Sequence, residues 1–213
     1  MKEFLNKYRH AWVFLYFIIY MPWYFGIQYR TNIQFHDVYT SIDAAIPFIS
    51  WFIYPYIYWF LFVAGTIAFL FFTSRKDFYK CTAFLFIGMT VCLIAFTIYP
   101  TSFDHRPIVI DSNPVNQFLV SFIYTADKSQ NVCPSIHVYN SIGCAIALIK
   151  CQRFKDSRGM KVFAIVSAVS ITLSTMFIKQ HSIIDAIMAI VLAVVLYIIV
   201  YQIDYSRIIH KEE

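Results

Sequence analysis

Residues 51–73 read WFIYPYIYWFLFVAGTIAFLFFT, a stretch that contains no Asp, Glu, Lys or Arg. The hydrocarbon core of a bilayer is about 30 Å thick, and a helix needs about 20 apolar residues to cross it. This stretch therefore predicts a membrane-spanning helix, and similar stretches recur along the chain.

The composition of the whole chain agrees with this interpretation. The protein has 213 residues, of which 60% are hydrophobic and 14% are charged, and its mean hydropathy is +0.62. A soluble domain is usually about 45–50% apolar and about 25% charged. Too little polar surface is present to cover a water-soluble globule, so the composition predicts an integral membrane protein.

Six apolar runs predict six spans. They are Trp12–Tyr29, Trp51–Thr73, Cys81–Tyr99, Ser135–Cys151, Val162–Ile178 and Ile183–Ile203. The first run follows Lys2, Lys7 and Arg9, as in a secretory signal, but it has no small-x-small cleavage site and is interpreted as a retained helix. We expect residues 1–213 to form one domain, an all-α six-transmembrane-helix bundle.

The basic residues indicate the orientation of this bundle, because cytoplasmic loops retain Lys and Arg. With cytoplasmic termini, four of the 17 Lys and Arg residues face outward: Arg30, Arg106, Lys128 and Lys179. The flipped topology reverses this bias. We expect a multi-pass protein of the plasma membrane with an extracytoplasmic site, although an organelle lumen would give the same charge pattern. The net charge of +5 then reflects a cytoplasmic fringe beside anionic lipid, and no nucleic-acid partner is expected.

The outward connections are expected to carry short interfacial helices. The longest connection is Pro100–Pro134, whose prolines mark turns. Within it, Val115–Tyr124 (VNQFLVSFIY) has the composition of a helix that lies along the membrane surface. Another outward segment, Thr31–Ser50, ends in the apolar AAIPFIS and is interpreted as an interfacial turn.

Polar residues gather in three blocks that this topology places at one outward depth. The blocks are His105-Arg106-Pro107, Pro134-Ser135-Ile136-His137 and STMFIKQHSIID at residues 174–185. Polar groups at membrane depth are costly and usually functional, which favours one shared site. A channel or carrier would instead need ionisable residues deep inside the spans, and almost none occur there.

The third block offers a histidine beside a carboxylate. His181 and Asp185 are four residues apart and share a face if a helix begins near His181. Such a carboxylate fixes the imidazole tautomer and leaves the other ring nitrogen free as a nucleophile or base. Each of these groups also has a purely structural explanation. The His181–Asp185 pair could be an ordinary hydrogen bond at the start of a helix. His137 could cap a helix, and Arg106 could anchor the protein to lipid headgroups. Together, two histidines, an acid and cations suggest phosphoryl transfer.

The three blocks resemble the signature of the type 2 phosphatidic acid phosphatase family, membrane lipid phosphatases that share a histidine mechanism with vanadium haloperoxidases. That signature runs Lys-x6-Arg-Pro, then Pro-Ser-Gly-His, then Ser-Arg-x5-His-x3-Asp. The matching residues are Arg106, Pro107, Pro134, Ser135, His137, Ser174, His181 and Asp185.

The resemblance implies roles for these residues. His181 would attack phosphorus with Asp185 behind it, and His137 would act first as acid and then as base. Ser135 and Arg106 would hold the phosphate, and helix N-termini near the site would favour the anion. No cofactor is expected, and no metal, since the sequence has neither a carboxylate cluster nor a dense His/Cys cluster.

The sequence departs from the signature at three positions. Tyr99, Ile136 and Thr175 stand where the family has Lys, Gly and Arg, so two of the usual phosphate-binding cations are absent. Lys179, one helical turn beyond Thr175, is expected to replace one cation. Lys128 or His105 is expected to replace the other. In lacking these cations, the chain resembles the branch related to inositolphosphotransferases and sphingolipid headgroup synthases, where the two histidines and the aspartate persist while the flanking cations vary.

Two functions share this chemistry. In a lipid phosphatase acting on a phospholipid or isoprenoid phosphate or pyrophosphate, water accepts the phosphoryl group. In a lipid headgroup phosphotransferase, an alcohol accepts the phosphorus-containing group. We expect the phosphatase and keep the phosphotransferase as the alternative. The identity of the lipid and the oligomeric state stay open.

Overall fold

The computed structural model describes residues 7–203, most of which are helical. Residues 1–6 and 204–213, which include ends predicted to be cytoplasmic, lie outside the described residues. The α-helices are α1 (Tyr16–Gln28), α2 (Ser41–Ala45), α3 (Ile53–Thr73), α4 (Arg75–Ile98), α5 (Pro114–Ala126), α6 (Ile136–Lys150), α7 (Arg158–Phe177) and α8 (Ile183–Tyr197). Short 3₁₀ segments at Arg9–Leu15, Ser50–Phe52 and Gln152–Phe154 precede α1, α3 and α7, and a π-helical turn, Ile198–Gln202, continues α8.

Five helical segments of residues 7–203 are long and apolar enough to cross a membrane. They are Arg9–Gln28, Ser50–Thr73, Arg75–Ile98, Arg158–Phe177 and Ile183–Gln202. The chain is therefore an α-helical multi-pass membrane protein. The fourth expected span is α6, which has 15 residues. At 1.5 Å per residue it is about 22 Å long, shorter than the bilayer core, so five rather than six of the described helices meet the length criterion.

The short helix α6 lies in the centre of the bundle, where it packs against α3, α4, α7 and α8. Its buried Tyr139 stacks on Phe84 of α4 with ring centroids 5.0 Å apart, and the phenol donates a hydrogen bond of 2.6 Å to the Phe84 carbonyl. Two glycines permit this close approach, Gly88 against Tyr139 and Gly143 against Phe84 and Leu85. The first turn of α6 is thereby fixed relative to its neighbours.

Capping residues explain where the observed helices differ from the apolar runs. The helix α4 begins at Arg75, six residues before the predicted Cys81, because the side chain of Ser74 accepts a hydrogen bond from the amide of Asp77. The predicted helix Val115–Tyr124 is confirmed and extends over Pro114–Ala126. Its N-cap is Asn113, whose side chain accepts from two amides of the first turn. Its position along a membrane surface stays a prediction.

The connections α1–α3 and α4–α6 meet at one end of the bundle. The two-residue strands β1 (His36–Asp37) and β2 (Thr101–Ser102) pair in parallel, and Ser102 also bridges to Gln130. The short helix α2 follows β1 and is closed by a capping box between Thr40 and Asp43. These contacts bring α2 beside the turn that joins α7 to α8.

The glycine contact in the core gives a stability prediction. A methyl group at Gly88 would overlap the ring of Tyr139, which is itself fixed by its hydrogen bond. Gly88→Ala is expected to lower the free energy of unfolding by about 1–3 kcal/mol through overpacking. The matched control is Gly65→Ala, because nothing lies within 4 Å of that position. Thermal unfolding in detergent measures both, and equal melting temperatures would contradict the close packing of α4 on α6.

Candidate active site

The turn between α7 and α8 carries the first of the two histidines. The carbonyl of Thr175 accepts hydrogen bonds from the amides of Gln180 (2.9 Å) and His181 (3.0 Å), which folds the chain back at the end of α7. His181 precedes α8 rather than lying on it. Its Nδ1 is nevertheless 3.1 Å from Oδ2 of the fully buried Asp185, so the spacing of four residues does bring the pair together. Asp185 Oδ2 also accepts from the amide of Ser182 at 3.0 Å.

The second histidine stands in the first turn of α6. Ser135 caps this helix, and its hydroxyl accepts a hydrogen bond from the amide of Val138 at 3.3 Å. The amide of Ser135 donates to the carbonyl of Asp185 at 3.2 Å, which joins the two helix starts. As a result, Nδ1 of His137 lies 3.4 Å from Nε2 of His181. The two imidazoles and Asp185 therefore form one cluster.

An acidic residue absent from the sequence prediction lies on the other side of His137. Oδ2 of Asp127 is 4.0 Å from His137 Nε2 and accepts a hydrogen bond of 2.6 Å from the phenol of Tyr56. Asp127 directly follows α5. It is a single acidic residue in an irregular loop, and no pattern in the sequence predicts its contact with His137. The rings of Tyr56 and Trp59 also pack against His137, with centroids 4.7 and 4.4 Å away.

Two spaces have His137 in their walls. A polar cavity of about 50 Å³ is lined by both histidines together with Asp127, Lys128, Asn131 and Gln180. A much larger apolar cleft of about 690 Å³ runs between α1, α3, α4 and α6. His137 and Asp127 line both spaces, so the imidazole stands where the polar cavity meets the apolar cleft.

The polar cavity is bordered by side-chain donors that have no partner within residues 7–203. They are Nδ2 of Asn131 and Nε2 of Gln180, both on residues that are at least nine-tenths buried. The orientation of the Gln180 amide is fixed, because Arg106 has only donors and donates to its Oε1. Buried donors without a partner are rare, and here they border a cavity that a polar ligand could fill.

The two expected cations nearest this cavity have different positions. Lys128 lines the cavity, with its ammonium 5.3 Å from the centre of the Tyr29 ring. Arg106 lies behind Gln180 and donates to the carbonyls of Tyr124 (3.0 Å) and Asp127 (2.6 Å). Burial lowers the pKa of the Arg106 guanidinium, and the neighbouring Asp127 carboxylate opposes this shift. Even so, an arginine remains charged in a protein.

The other expected phosphate-binding groups do not reach the cavity. The helix α7 ends at Phe177, and Lys179 adopts a left-handed φ of 54°, so it is not on the next helical turn after Thr175 as the sequence suggested. Its ammonium donates to the carbonyls of Asp43 and Ile46 instead. His105 is stacked on Tyr39 and lies 2.7 Å from the Asp37 carboxylate.

Three further positions of the predicted site lie away from the cavity. Ser135 is fully buried as the cap of α6 and does not line the cavity. Tyr99, at the position of the family's Lys, stacks on the ring of His36 at 4.1 Å. Thr175, at the position of the family's Arg, is fully buried.

The N-terminus of α8, expected to favour an anion, is already occupied by a carboxylate of the protein. Asp43 Oδ1 accepts from the amide of Ile183 (2.8 Å), and Asp43 Oδ2 accepts from the hydroxyl of Ser182 (2.7 Å). Asp43 is only 2% exposed, so these bonds are shielded from water. The carboxylate therefore holds the start of α8 in place and takes the position that a phosphate would need there.

A thiol near the cluster is not available as a nucleophile. Burial raises the pKa of the Cys133 thiol to about 12, and the Asp185 carboxylate shifts it in the same direction. Cys133 therefore stays protonated at neutral pH. Within residues 7–203, no group of three or more His, Cys, Asp and Glu side chains is arranged as metal ligands.

A family model described as the PAP2 superfamily matches residues 101–209, slightly more than half of the chain. The match includes all three polar blocks and the whole cluster of His137, His181 and Asp185. No curated protein and no solved structure matches the chain.

The buried carboxylate of Asp43 gives a prediction about the start of α8. Asp43→Ala leaves the Ile183 amide and the Ser182 hydroxyl with one partner fewer, and we expect a loss of about 1–3 kcal/mol in unfolding free energy. The Ile183 amide should also exchange its hydrogen faster. Asp37→Ala is the matched control, since that exposed acid should contribute less than about 1 kcal/mol. Equal losses in thermal unfolding for the two variants would refute the anchoring role.

Proposed function

The chain belongs to the PAP2 superfamily, and on this premise we propose that it is a membrane lipid phosphatase acting through a phosphohistidine intermediate. Its substrate would be a phosphomonoester or pyrophosphate of a lipid. Family membership supports a phosphatase or phosphotransferase type of function. The observation that supports the proposal is that Asp185, His181 and His137 form one cluster, in which both histidines line a polar cavity and His137 also lines an apolar cleft.

His181 is the proposed nucleophile. Its Nδ1 proton is held by Asp185, which leaves a lone pair on Nε2. Nε2 attacks phosphorus as the bond to the lipid oxygen breaks, and His137 donates a proton to that oxygen. Water, deprotonated by His137, then displaces phosphate from His181. Because the facing nitrogens are 3.4 Å apart, the phosphoryl group has to enter beside them and separate the two rings.

The proposed phosphate-binding groups are Lys128, Gln180 and Asn131, with Arg106 behind Gln180. Gln180 and Asn131 supply the unpartnered amide donors, and Lys128 supplies a positive charge on the cavity wall. Two neutral amides would thus take the part of the absent Lys and Arg. Hydrogen-bond donors arranged before the reaction stabilise the charge that develops on the phosphoryl oxygens.

The apolar cleft is the proposed site of the lipid chain. At about 690 Å³, it falls in the usual size range of small-molecule sites and begins at His137. Met21, Phe60 and Phe122 are exposed cleft residues, which supports entry of a chain from the surrounding lipid. We propose that this end of the bundle faces outward at the plasma membrane, as the distribution of Lys and Arg predicts.

A headgroup phosphotransferase is the second candidate, and the charge of the polar cavity favours it. Of the side chains lining that cavity, Lys128 is the only Lys or Arg and Asp127 the only carboxylate, within residues 7–203. A dianionic phosphomonoester would be less well balanced there than a phosphodiester with a single negative charge. The covalent step is the same, and only the acceptor differs.

The test of the reaction is a panel of lipid phosphates with and without acceptor alcohols. In excess chelator, the purified protein is expected to release inorganic phosphate from a phospholipid monoester or an isoprenyl pyrophosphate. His181→Ala should lower kcat by roughly 10³-fold or more, because no intermediate can form. An acid-labile label from ³²P-substrate should appear on the wild type and not on this variant.

His36→Ala is the matched control, since this exposed histidine stacks on Tyr99 away from the cluster. Full turnover by His181→Ala would refute the proposed mechanism. Turnover that requires an added alcohol and gives a phosphodiester would favour the phosphotransferase.

The cleft gives a separate prediction. Ala64 lines the cleft, and Ala64→Trp should fill part of it. Displacing about two methylene groups of the chain costs about 1.6 kcal/mol, so KM for a long-chain lipid phosphate should rise by about tenfold. Turnover of a short-chain phosphate should be unaffected. Ala68→Trp, one turn further along α3 and also exposed, is the control, and equal effects of the two variants would exclude the cleft as the chain site.

A further inference from the structure

His137 lies between two groups that meet opposite sides of its ring. Its Nδ1 is 3.4 Å from His181 Nε2, and its Nε2 is 4.0 Å from Asp127 Oδ2. Asp185 stands behind His181 in the same way, at 3.1 Å. The four side chains therefore form one line, with a carboxylate at each end and the two imidazoles in the middle.

The proposed reaction requires different protonation states of the two histidines, so Asp185 and Asp127 have different roles. His181 must be neutral, with its lone pair toward phosphorus, and one carboxylate at Nδ1 is enough for that. His137 must carry a second proton to be an acid. Its side chain is only 13% exposed, and burial lowers the pKa of its imidazole to about 4, a shift that the Asp127 carboxylate opposes and His181 reinforces. Asp127 is the carboxylate that faces this ring.

Asp127 is fixed in this position by contacts that do not involve His137. The phenol of Tyr56 donates to its carboxylate at 2.6 Å. Its amide donates to the Ile123 carbonyl, which ends α5, and its own carbonyl accepts from Arg106. The side chain remains 33% exposed and borders both the cavity and the cleft. A carboxylate held this way can act on His137 without closing the site.

We propose that Asp127 is a positioning residue that stabilises the protonated form of His137 and directs its Nδ1 proton toward the leaving oxygen. This inference rests on the proposed function. As the bond between His181 Nε2 and phosphorus forms, the bond from phosphorus to the lipid oxygen breaks and that oxygen takes the Nδ1 proton. In the second step His137 recovers a proton from the attacking water, and the nitrogen–phosphorus bond breaks as phosphate leaves.

The other titratable groups around His137 cannot stabilise its protonated form. Of the described side chains that contact its ring or share its cavities, the titratable ones are Asp127, His181, Tyr20, Tyr24, Tyr56 and Lys128. His181 is the nucleophile, the three phenols are neutral near pH 7, and a lysine would oppose a second positive charge. Among the described residues that border His137, Asp127 is thus the one able to stabilise the cation.

The test compares leaving groups that need an acid with leaving groups that do not. For Asp127→Asn, kcat for a phosphate ester of a lipid alcohol should fall by about 100-fold, a typical contribution of general acid catalysis. For an aryl phosphate such as nitrophenyl phosphate, whose leaving group departs without a proton, kcat should fall by less than about threefold. The alkaline limb of the kcat profile for the lipid ester should also move to lower pH, because the His137 cation has lost its stabilising charge.

Tyr56→Phe provides a second variant that keeps the carboxylate and removes the phenol that orients it. It should show the same preference for the aryl phosphate, with a smaller loss. Tyr54→Phe is its matched control, since that phenol donates to Asn116 of α5 and does not contact His137. Asp156→Asn controls for the loss of a negative charge on an exposed loop.

Equal losses of Asp127→Asn on both esters, with an unmoved alkaline limb, would overturn the role of Asp127 and indicate a structural effect. If Asp127→Asn does not fold, the selectivity of Tyr56→Phe decides: a preference supports the proposal and none overturns it. The variant His181→Ala tests the proposed function independently of the role of Asp127. That variant should lose both esters, and if it retains them the phosphohistidine mechanism itself fails, whatever Asp127 does.

Discussion

One oxygen atom of Asp185 links the fold of this protein to its candidate chemistry. Oδ2 accepts from the Ser182 amide, which closes the first turn of α8, and from Nδ1 of His181. The backbone carbonyl of the same residue accepts from the amide of Ser135, at the start of α6. Because Asp185 is fully buried, none of these bonds competes with water. The two helix starts and the orientation of the imidazole are therefore set together, and a change in one would disturb the other.

The apolar runs of the sequence predict most of the fold, because burial in lipid selects for uncharged stretches of sufficient length. Helix boundaries follow a different physical cause. Ser74 starts α4 by capping it, so the helix includes the charged Arg75, Lys76 and Lys80 that a hydropathy pattern leaves out. The central helix α6 is also shorter than a span, since protein rather than lipid surrounds much of it, including Tyr139. Length alone could not distinguish these two surroundings.

The candidate site is predictable where its geometry is local. The spacing of His181 and Asp185 anticipates their contact, because four residues correspond to one helical turn. The same reasoning fails for Lys179, since α7 ends two residues earlier and the left-handed turn sends the ammonium to α2. Asp127, Asn131 and Gln180 were missed for a further reason. Their contacts join distant segments through irregular loops, and no periodicity in the sequence records which loop residues meet.

The position of His137 on the shared wall of the cavity and the cleft has a consequence for the products of the proposed reaction. The bond that breaks would lie at the boundary between the polar cavity and the apolar cleft. The phosphate and the lipid alcohol would therefore be released on different sides of this boundary. The liberated alcohol would be left among aromatic and aliphatic side chains and could drift laterally into the leaflet. The anion would be left among amides and a lysine, from which it could escape only toward water. Such a partition would separate the products spatially and make their recombination rare.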